Sequence, residues 1–525
     1  MKRLFIFLAA SAALSFFVPQ AGAQTYSHRI GVPGFTLGGP AIFISATPDG
    51  GSIIDAPFRS PLTGEANLLV KTDAAGTIQW QRLRDHAPGD SGQFIPCGIR
   101  ALPGGGYFES LRGARYLSST AELYHIAVRT DSTGAISWSN AYKHASMILL
   151  NDGFNLQTAG GDFVIGSLIA DTAGADSSYY HLVKIDGAGN LLWSRLYNSF
   201  SAPKNYMTDL RLCPNGDYLL GGMRYDPQLA ATVAVITRTD SAGNLLWSKK
   251  YYGSSMLALT DCIALPGGGV VAAGWSGGSV STLFLLRSDV AGNPVWAHEF
   301  ILPEPIAPSE LRLHPDGGYA ISGSSNGVQL GFLMKTDSAG ALQWMREFPT
   351  AVLNSFDMDN SVFHCAGFDS YTAGLNLAVL RLDSAGRNGC ENDLFPLVSP
   401  ITVSSLPDTF SAPLSMIAMP YTLPETSPAL IDTSGCFPQS APDLPVAEPV
   451  IRIGPLPADK AIFVDCSIAL DEAGLYDLSG RLLLRKHLPH EKRFLLDVSQ
   501  LPDGLYLLRL RSKQGVFSRK ITVQR

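Results

Sequence analysis

The chain has 525 residues, of which 46% are hydrophobic and 16% are charged, and its formal net charge is -6. The length predicts more than one domain, and the composition excludes a disordered polymer. The charge is uneven, because residues 447–525 contain 13 Lys/Arg and 9 Asp/Glu, which leaves 26 and 36 for residues 1–446. The acidic larger part argues against nucleic acid as a partner, since phosphate binding needs a basic surface.

The N-terminus has the pattern of an export signal. Basic Met1-Lys2-Arg3 precedes an apolar stretch over residues 4–18, and Ala21-Gly22-Ala23 gives the small-x-small pattern of a cleavage site. The stretch is too short for a membrane span, and no later segment has eighteen consecutive apolar residues. We predict a signal peptide at residues 1–23, cleaved between Ala23 and Gln24, and a mature chain without a transmembrane segment.

One sequence pattern recurs over residues 41–386. It consists of a turn resembling Pro-Asp-Gly-Gly, an apolar strand, a Gly/Ser-rich gap, a second strand and an Asp-x-x-Gly turn. The Asp-x-x-Gly turns begin at seven positions, Asp73, Asp131, Asp186, Asp240, Asp289, Asp337 and Asp383. In the first six units a Trp follows the Gly by four residues, at Trp80, Trp138, Trp193, Trp247, Trp296 and Trp344. Each unit has the turn chemistry and apolar runs of four short strands. Such a period predicts an all-β, seven-bladed β-propeller over residues 24–390.

The seventh unit stops after Gly386 and has no Trp strand, whereas Tyr26–Ile30 resembles a fourth strand that has no unit of its own. We therefore predict that the N-terminal strand completes the last blade and closes the ring. The repeated Trp residues are expected to wedge blade against blade rather than to stack on sugars. Trp275 lies outside the repeated position and is the candidate for a ligand contact.

Seven cysteines are scattered along the chain, without the close pairs of zinc or redox motifs. Cys390 and Cys436 flank a Pro-rich stretch, and a disulfide between them is one hypothesis. The alternative is that all seven are small, buried apolar residues.

Residues 391–446 are rich in Pro and Ser and predict an extended linker, although their Leu, Ile and Met side chains could dock on the propeller. Short apolar strands after residue 450 predict a small C-terminal β-sandwich over residues 447–525.

The repeat resembles those of large exported bacterial propeller proteins, where Asp-x-x-Gly-Asn-x-x-Trp alternates with Pro-Asp-Gly-Gly. Residues 475–481, 497–506 and 520–523 resemble the C-terminal sorting domain of the type IX (Por) secretion system. That resemblance implies a bacterium of the Bacteroidetes type, transit through the periplasm, and secretion or display at the cell surface, where attachment to lipopolysaccharide is possible for such proteins. It also places Gly504, Tyr506 and Lys520 in the sorting-signal motifs. From the residues alone, Gly504 can equally turn a hairpin, Tyr506 can pack inward, and Lys520 can be an exposed charge.

Motifs for chemistry are sparse. Residues 274–278 and 323–327 match Gly-x-Ser-x-Gly, but no helix follows to form a nucleophile elbow. The histidines form no ligand-spaced cluster, and the Asp-x-x-Gly turns lack the alternating acids of a calcium loop. We predict no catalytic, metal-binding or cofactor-binding residues.

Three functions fit these features. The favoured one is an exported binding or structural propeller whose partners are the type IX machinery and a glycan or surface protein. A second is an extracellular hydrolase or lyase acting on polysaccharide, which would need two carboxylates meeting at the channel mouth. A third is a passive spacer without a ligand.

Overall fold

The computed structural model describes residues 25–524 except for several short segments, which are 34, 61–63, 85–91, 118–119, 145–146, 150–153, 172–177, 198–204, 278–281, 303, 326–329, 350, 370–375, 409–410, 421–424, 435–450, 455–457, 477–481 and 513–514. The predicted signal peptide, with Ala23 and Gln24, lies outside the described residues. The chain divides into two compact units, Met1–Gln439 and Ser440–Arg525. The described residues are all-β and contain no helix, so none of them forms a helical membrane span.

The first unit is the predicted seven-bladed propeller, which confirms the fold class. Each blade has four antiparallel strands, named first to fourth from the axis outward. Blades 1 to 3 comprise Phe43–Ala46, Ser52–Ser60, Gly64–Thr72, Ile78–Arg84; Gly92–Ala101, Tyr107–Leu117, Thr120–Thr130, Ile136–Lys143; and Phe154–Gln157, Phe163–Asp171, Ser178–Ile185, Leu191–Tyr197. Blades 4 to 6 comprise Asn205–Leu212, Tyr218–Asp226, Ala231–Thr239, Leu245–Tyr252; Leu257–Ala264, Val270–Ser276, Thr282–Ser288, Pro294–Ile301; and Ile306–Leu313, Tyr319–Ser325, Leu330–Thr336, Leu342–Phe348. Two short extra strands, Thr36–Leu37 and Met147–Leu149, pair with the second strands of blades 1 and 3.

Blade 7 is closed by the N-terminal strand, as predicted. Its first three strands are Val352–Asp359, Val362–Phe368 and Leu377–Leu382, and its fourth is Tyr26–Gly31. The fourth strand pairs antiparallel with the third, with Tyr26 opposite Arg381 and Ile30 opposite Leu377. Ile30 is 1% exposed and belongs to the apolar cluster shared by blades 7 and 1. The two ends of the propeller chain therefore meet in one sheet.

The repeated Trp residues lie between blades. The ring of Trp344 in blade 6 packs on Gly386 of the Asp-x-x-Gly turn of blade 7, where a Cβ would lie 2.5 Å from the indole. Gly386 also has φ of +72°, which favours glycine. The other five repeat Trp residues contact the equivalent Gly of the next blade, and Tyr26 and His28 contact Gly76 of blade 1 in the same way. This contact explains why the repeat couples a Trp to a turn glycine.

Residues 391–434 form a belt around the propeller. The belt is extended and adds a fifth strand to the outer edge of every blade in reverse order, from blade 6 down to blade 1 and then to blade 7. In that order the belt strands are Asn392–Leu394, Leu397–Pro400, Ser404–Pro407, Ser411–Pro413, Ile417–Pro420, Glu425–Thr426 and Ile431–Ser434. The physical reason is that each fourth strand otherwise leaves an unpaired edge, and the belt covers all seven edges.

The belt is also held by charge. It contains five acidic residues and no Lys or Arg. Four of its carboxylates pair with basic side chains of the blades, at Arg346–Asp393 (2.6 Å), Arg224–Asp408 (2.8 Å), Arg82–Glu425 (3.0 Å) and His28–Asp432 (2.8 Å). Of these, the Arg224–Asp408 pair is buried, with side chains 3% and 7% exposed.

Five of the cysteines are buried and form no disulfide, namely Cys97, Cys213, Cys262, Cys365 and Cys466. Cys390, just before the belt, is disulfide-bonded. Its predicted partner Cys436 lies outside the described residues, so this pairing stays a prediction.

The second unit is one curled, five-stranded antiparallel sheet, and the predicted β-sandwich is not confirmed in that detail. Its strands are Ile451–Gly454, Ala461–Tyr476, Leu482–Asp497, Gly504–Ser512 and Gly515–Val523. The two 16-residue strands are long enough to fold the sheet over its own apolar side, which buries residues such as Ile462, Leu475 and Leu508 completely. This unit therefore has a hydrophobic core of its own.

Candidate ligand site in the propeller channel

The first strands of all seven blades line a channel along the propeller axis. The described residues enclose a charged chamber of about 420 Å³ and a mouth chamber of about 440 Å³ in this channel. Four residues line both chambers and mark the boundary between them: Phe43, Phe154, Thr208 and Ser309. The mouth chamber adds the segment Gly38–Ala41, and it lies towards the ends of the first strands at which the chain enters each blade. Cavities of this size suit small organic ligands.

The charged chamber is built by a repeated local structure. The first strands of blades 2, 4, 5, 6 and 7 contain a β-bulge at the same place. We call the residue after the bulge the first ring position and the residue two further on the second ring position. By strand register, the first ring positions of blades 1 to 7 are Phe43, Gly98, Phe154, Asp209, Asp261, Glu310 and Ser355. The second ring positions are Ser45, Arg100, Leu156, Arg211, Ile263, Arg312 and Asp357.

Polar side chains at the first ring position join neighbouring blades. In four consecutive interfaces, from blade 4 to blade 1, such a side chain accepts a hydrogen bond from a backbone N–H of the next blade. These bonds are Cys262 N to Asp209 (3.2 Å), Leu311 N to Asp261 (2.7 Å), Phe356 N to Glu310 (2.7 Å) and Ile44 N to Ser355 (3.4 Å). Part of the acidic lining therefore stabilises the ring.

The same carboxylates pair with two of the three channel arginines. Arg211 Nε lies 3.1 Å from Asp209 Oδ2, and its Nη2 lies 2.5 Å from Asp261 Oδ2. Arg312 pairs with Glu310 of its own strand. Burial raises the pKa of Asp261 well above its usual range, although Arg211 opposes this shift.

Arg100 is the exception among the three arginines. Within the described residues no carboxylate lies within 4.0 Å of its guanidinium, whose Nε donates to the backbone oxygen of Asn155 (2.7 Å) and to Asn155 Oδ1 (3.1 Å). The sequence explains this difference. Arg211 has an aspartate at the first ring position of its own blade and another at that of the next blade, whereas Arg100 has Gly98 and Phe154 at the corresponding positions. Burial, together with the charges of Arg211 and Arg312, lowers the pKa of Arg100 to about 10, although the charges of Asp357 and Glu310 oppose this shift.

Asp357 of blade 7 complements Arg100. Its Oδ2 accepts hydrogen bonds from Ala46 N (2.9 Å) and Ser45 Oγ (3.3 Å), and no described Lys or Arg pairs with it. Two more polar atoms of the lining, Thr208 Oγ1 and Asn354 Oδ1, are buried without a hydrogen-bond partner among the described residues. The other Asp357 oxygen, Oδ1, accepts a hydrogen bond from Met358 N (2.9 Å). The chamber thus presents a cation and an anion without a described ion-pair partner, and two neutral polar atoms without a described hydrogen-bond partner.

The residues predicted from sequence lie elsewhere. Trp275 is half-buried near the end of the second strand of blade 5, and it lines neither chamber. In the C-terminal sheet, Gly504 begins a strand opposite Val523, Tyr506 is 7% exposed, and Lys520 is exposed. The Tyr506 hydroxyl donates to the Pro502 backbone oxygen at 2.7 Å. Gly504 thus lies at the start of a strand and not in the turn of a hairpin, whereas Tyr506 packs inward and Lys520 is an exposed charge. The part of all three residues in sorting stays a prediction.

Sequence reasoning missed the channel residues, although a signal was present. The segments Asp209-Leu210-Arg211, Glu310-Leu311-Arg312 and Gly98-Ile99-Arg100 each come shortly before a Pro-containing turn of the repeat. An arginine that recurs in this place in alternate blades marks a shared structural position. The glycine in the third segment, Gly98, shows that blade 2 lacks the acidic residue that precedes the arginine in the other two.

Comparison with known proteins gives the class of the C-terminal unit. Residues 452–524 match the family described as the secretion system C-terminal sorting domain. The chain is therefore a seven-bladed β-propeller that carries such a domain, which indicates export and attachment at the cell surface by the type IX secretion system.

Other comparisons add little about activity. No curated protein matches the chain. A solved structure from Dyadobacter fermentans DSM 18053, titled as an unknown function protein, is similar over 55% of this chain and 94% of that one, with 12% identity and a TM-score of 0.39. A likeness at this level carries no argument about function.

Proposed function

We propose that this protein is a cell-surface binding module, in which the sorting domain supplies the destination and the propeller channel holds the ligand. The observation that supports binding is the charged chamber, which places Arg100 and Asp357 in one cavity with no described ion-pair partner for either. Buried charged side chains with a purely structural role usually form ion pairs within the protein, as Arg211 does with Asp209. Unpaired polar groups that converge in a cavity are typical of a ligand site.

The proposed route begins with the signal peptide at residues 1–23 and passes through the periplasm. The type IX machinery then handles the C-terminal domain, and surface lipopolysaccharide is the proposed anchor of the displayed protein. The proposed ligand is a glycan, because hydroxyl groups can satisfy the unpartnered Thr208 and Asn354 atoms.

The alternative function, a hydrolase or lyase acting on polysaccharide, would draw on the carboxylates of the same chamber. Asp261 is the group that favours it, since a carboxyl with a raised pKa can donate a proton near neutral pH. Against it, Asp261 is bound by Arg211 and by Leu311 N, and Asp209 is bound by Arg211 and by Cys262 N. These contacts suit carboxylates that join blades, so binding is the better-supported proposal.

A binding screen of the full-length chain against glycans and surface proteins, run beside a polysaccharide-degradation assay, tests this proposal. We expect a retained glycan and no change in its chain length. Release of shortened or unsaturated sugars would favour the hydrolase or lyase. An absence of binding and of degradation would favour a passive spacer.

A further inference from the structure

The blades of the propeller give an internal comparison for Arg100. Arg211 and Arg100 occupy the same ring position in blades 4 and 2, so both project from equivalent points of the channel wall. Arg211 receives one carboxylate from its own blade and one from the next, Asp209 and Asp261. Arg100 receives neither, because the corresponding residues are Gly98 and Phe154.

We propose that Arg100 binds the carboxylate of an acidic sugar, a uronic acid or a uronate-terminated oligosaccharide, inside the charged chamber. This inference rests on the proposed function, namely that the channel binds a glycan, and it names the chemical class of that glycan. The ligand carboxylate would occupy, relative to Arg100, the place that protein carboxylates occupy relative to Arg211.

A carboxylate fits this chamber better than a phosphate or sulfate group. The lining carries three arginines and four acidic residues, of which the acids are Asp209, Asp261, Glu310 and Asp357. A dianion would meet this surplus of acidic groups, whereas a single negative charge can be matched by one guanidinium. Guanidinium and carboxylate groups also match in a planar, bidentate geometry.

The rest of the chamber suits the sugar ring. Asp357 has no described cation partner and can accept hydroxyl hydrogens, as can the unpartnered Asn354 Oδ1. Thr208 Oγ1 can donate or accept. Phe43 and Phe154 line the boundary with the mouth chamber and offer apolar faces to the carbon side of a sugar. A volume of about 420 Å³ is within the range of small-ligand cavities.

Binding of D-galacturonate and its short oligomers to the full-length chain, measured by calorimetry beside D-galactose oligomers of the same length, tests this inference. We expect the uronate series to bind and the neutral series to bind at least about tenfold more weakly, as for loss of a charge-assisted hydrogen-bonded pair. Arg100→Gln should reduce uronate affinity by a similar factor. Arg287→Gln, which removes a guanidinium that lines neither chamber, should leave it unchanged.

A second variant works without removing the arginine. Phe154→Asp places a carboxylate at the position from which Asp261 reaches Arg211, so it should occupy Arg100 internally and weaken uronate binding. Tryptophan fluorescence and the melting temperature of each variant show whether the propeller is still folded, and only folded variants are compared.

The outcomes separate this inference from the proposed function. If neutral glycans bind and uronates do not, or if folded Arg100→Gln retains full uronate affinity, the inference is overturned while glycan binding stands. If no glycan of either series, and none in the wider screen, binds the chain, both proposals fail.

Discussion

The buried ion pair between Arg224 and the belt residue Asp408 gives the sharpest stability prediction. Both side chains are almost fully buried, at 3% and 7% exposure, and their charged atoms are 2.8 Å apart. Removing one partner of such a pair leaves an uncompensated buried charge, which costs about 3–5 kcal/mol. Asp226 lies 3.9 Å from Arg224, but it is already bound by Lys250 at 2.6 Å and can compensate only in part. We therefore expect Asp408→Ala to lower the free energy of unfolding by about 3 kcal/mol.

Another belt residue supplies the matched control. The side chain of Asp393 is 41% exposed and pairs with Arg346 (2.6 Å) and with the exposed Arg387 (3.0 Å), so Asp393→Ala should cost about 1 kcal/mol or less. Denaturant unfolding followed by tryptophan fluorescence measures the propeller alone, because all seven Trp residues lie between Trp80 and Trp344. If Asp408→Ala lowers the free energy of unfolding no more than Asp393→Ala does, the buried ion pair does not stabilise the belt and this prediction is refuted.

Three further predictions concern the closure, the pH dependence and the sorting unit. Ile30→Ala should destabilise the propeller by about 3 kcal/mol, because it opens a cavity in the strand that closes blade 7; an unchanged denaturation midpoint would contradict the closure. Burial lowers the pKa of His125 to about 3 and that of His364 to about 4, whereas the unfolded chain binds these protons near pH 6.5. Stability should thus fall as pH drops from 6.5 to 5, by about 1.4 kcal/mol per pH unit at most for each histidine. Replacing both with Gln should reduce this slope in urea titrations without abolishing it, because burial also lowers the pKa of His181 and of His144. Residues 447–525 fused to a periplasmic reporter should carry it to the surface of a bacterium with a type IX system, and retention in the periplasm would count against the sorting assignment.

The propeller could be predicted because its signals are local. Asp73 illustrates this: its Oδ1 accepts hydrogen bonds from Ala75 N (2.8 Å) and Thr77 N (2.9 Å), which is the turn chemistry that the repeated Asp implies. The Trp residue that follows marks the fourth strand of each of the first six blades. Because seven such units occur in one chain and the last lacks its outer strand, ring closure by Tyr26–Gly31 could be inferred as well.

The belt could not be predicted from hydrophobic pattern. Its strands are at most four residues long, and several of its apolar side chains point to solvent, with Phe395 87% and Leu397 68% exposed. Its stability comes from backbone pairing with the blade edges and from ion pairs, neither of which leaves an alternating pattern. A weak signal was present in Pro400, Pro407, Pro413 and Pro420, which end four successive belt strands. Proline is tolerated on an edge strand because its missing N–H can face solvent.

The channel site could not be predicted because its parts come from seven distant segments. Arg100 and Asp357 are more than 250 residues apart in the sequence, and only the closed ring places them in one cavity. The sequence instead drew attention to Trp275, whose side chain lines neither chamber. The site was identified by a difference between repeats, because blade 2 has Gly98 where blade 4 has Asp209. These two residues can be recognised as equivalent only once the register of the strands is known.

The central claim is that the ligand lies inside the channel, and the reactivity of a thiol introduced at its boundary tests this most directly. Ser309 lines both chambers, and the five cysteines that form no disulfide are at most 2% exposed, so Ser309→Cys should supply the reactive thiol of the channel. Ser241→Cys in an exposed turn of blade 4 serves as the control. We predict that a glycan found to bind the chain slows alkylation at position 309 and leaves the rate at position 241 unchanged. A bound glycan that leaves both rates unchanged would contradict the claim and place the binding site elsewhere on the protein.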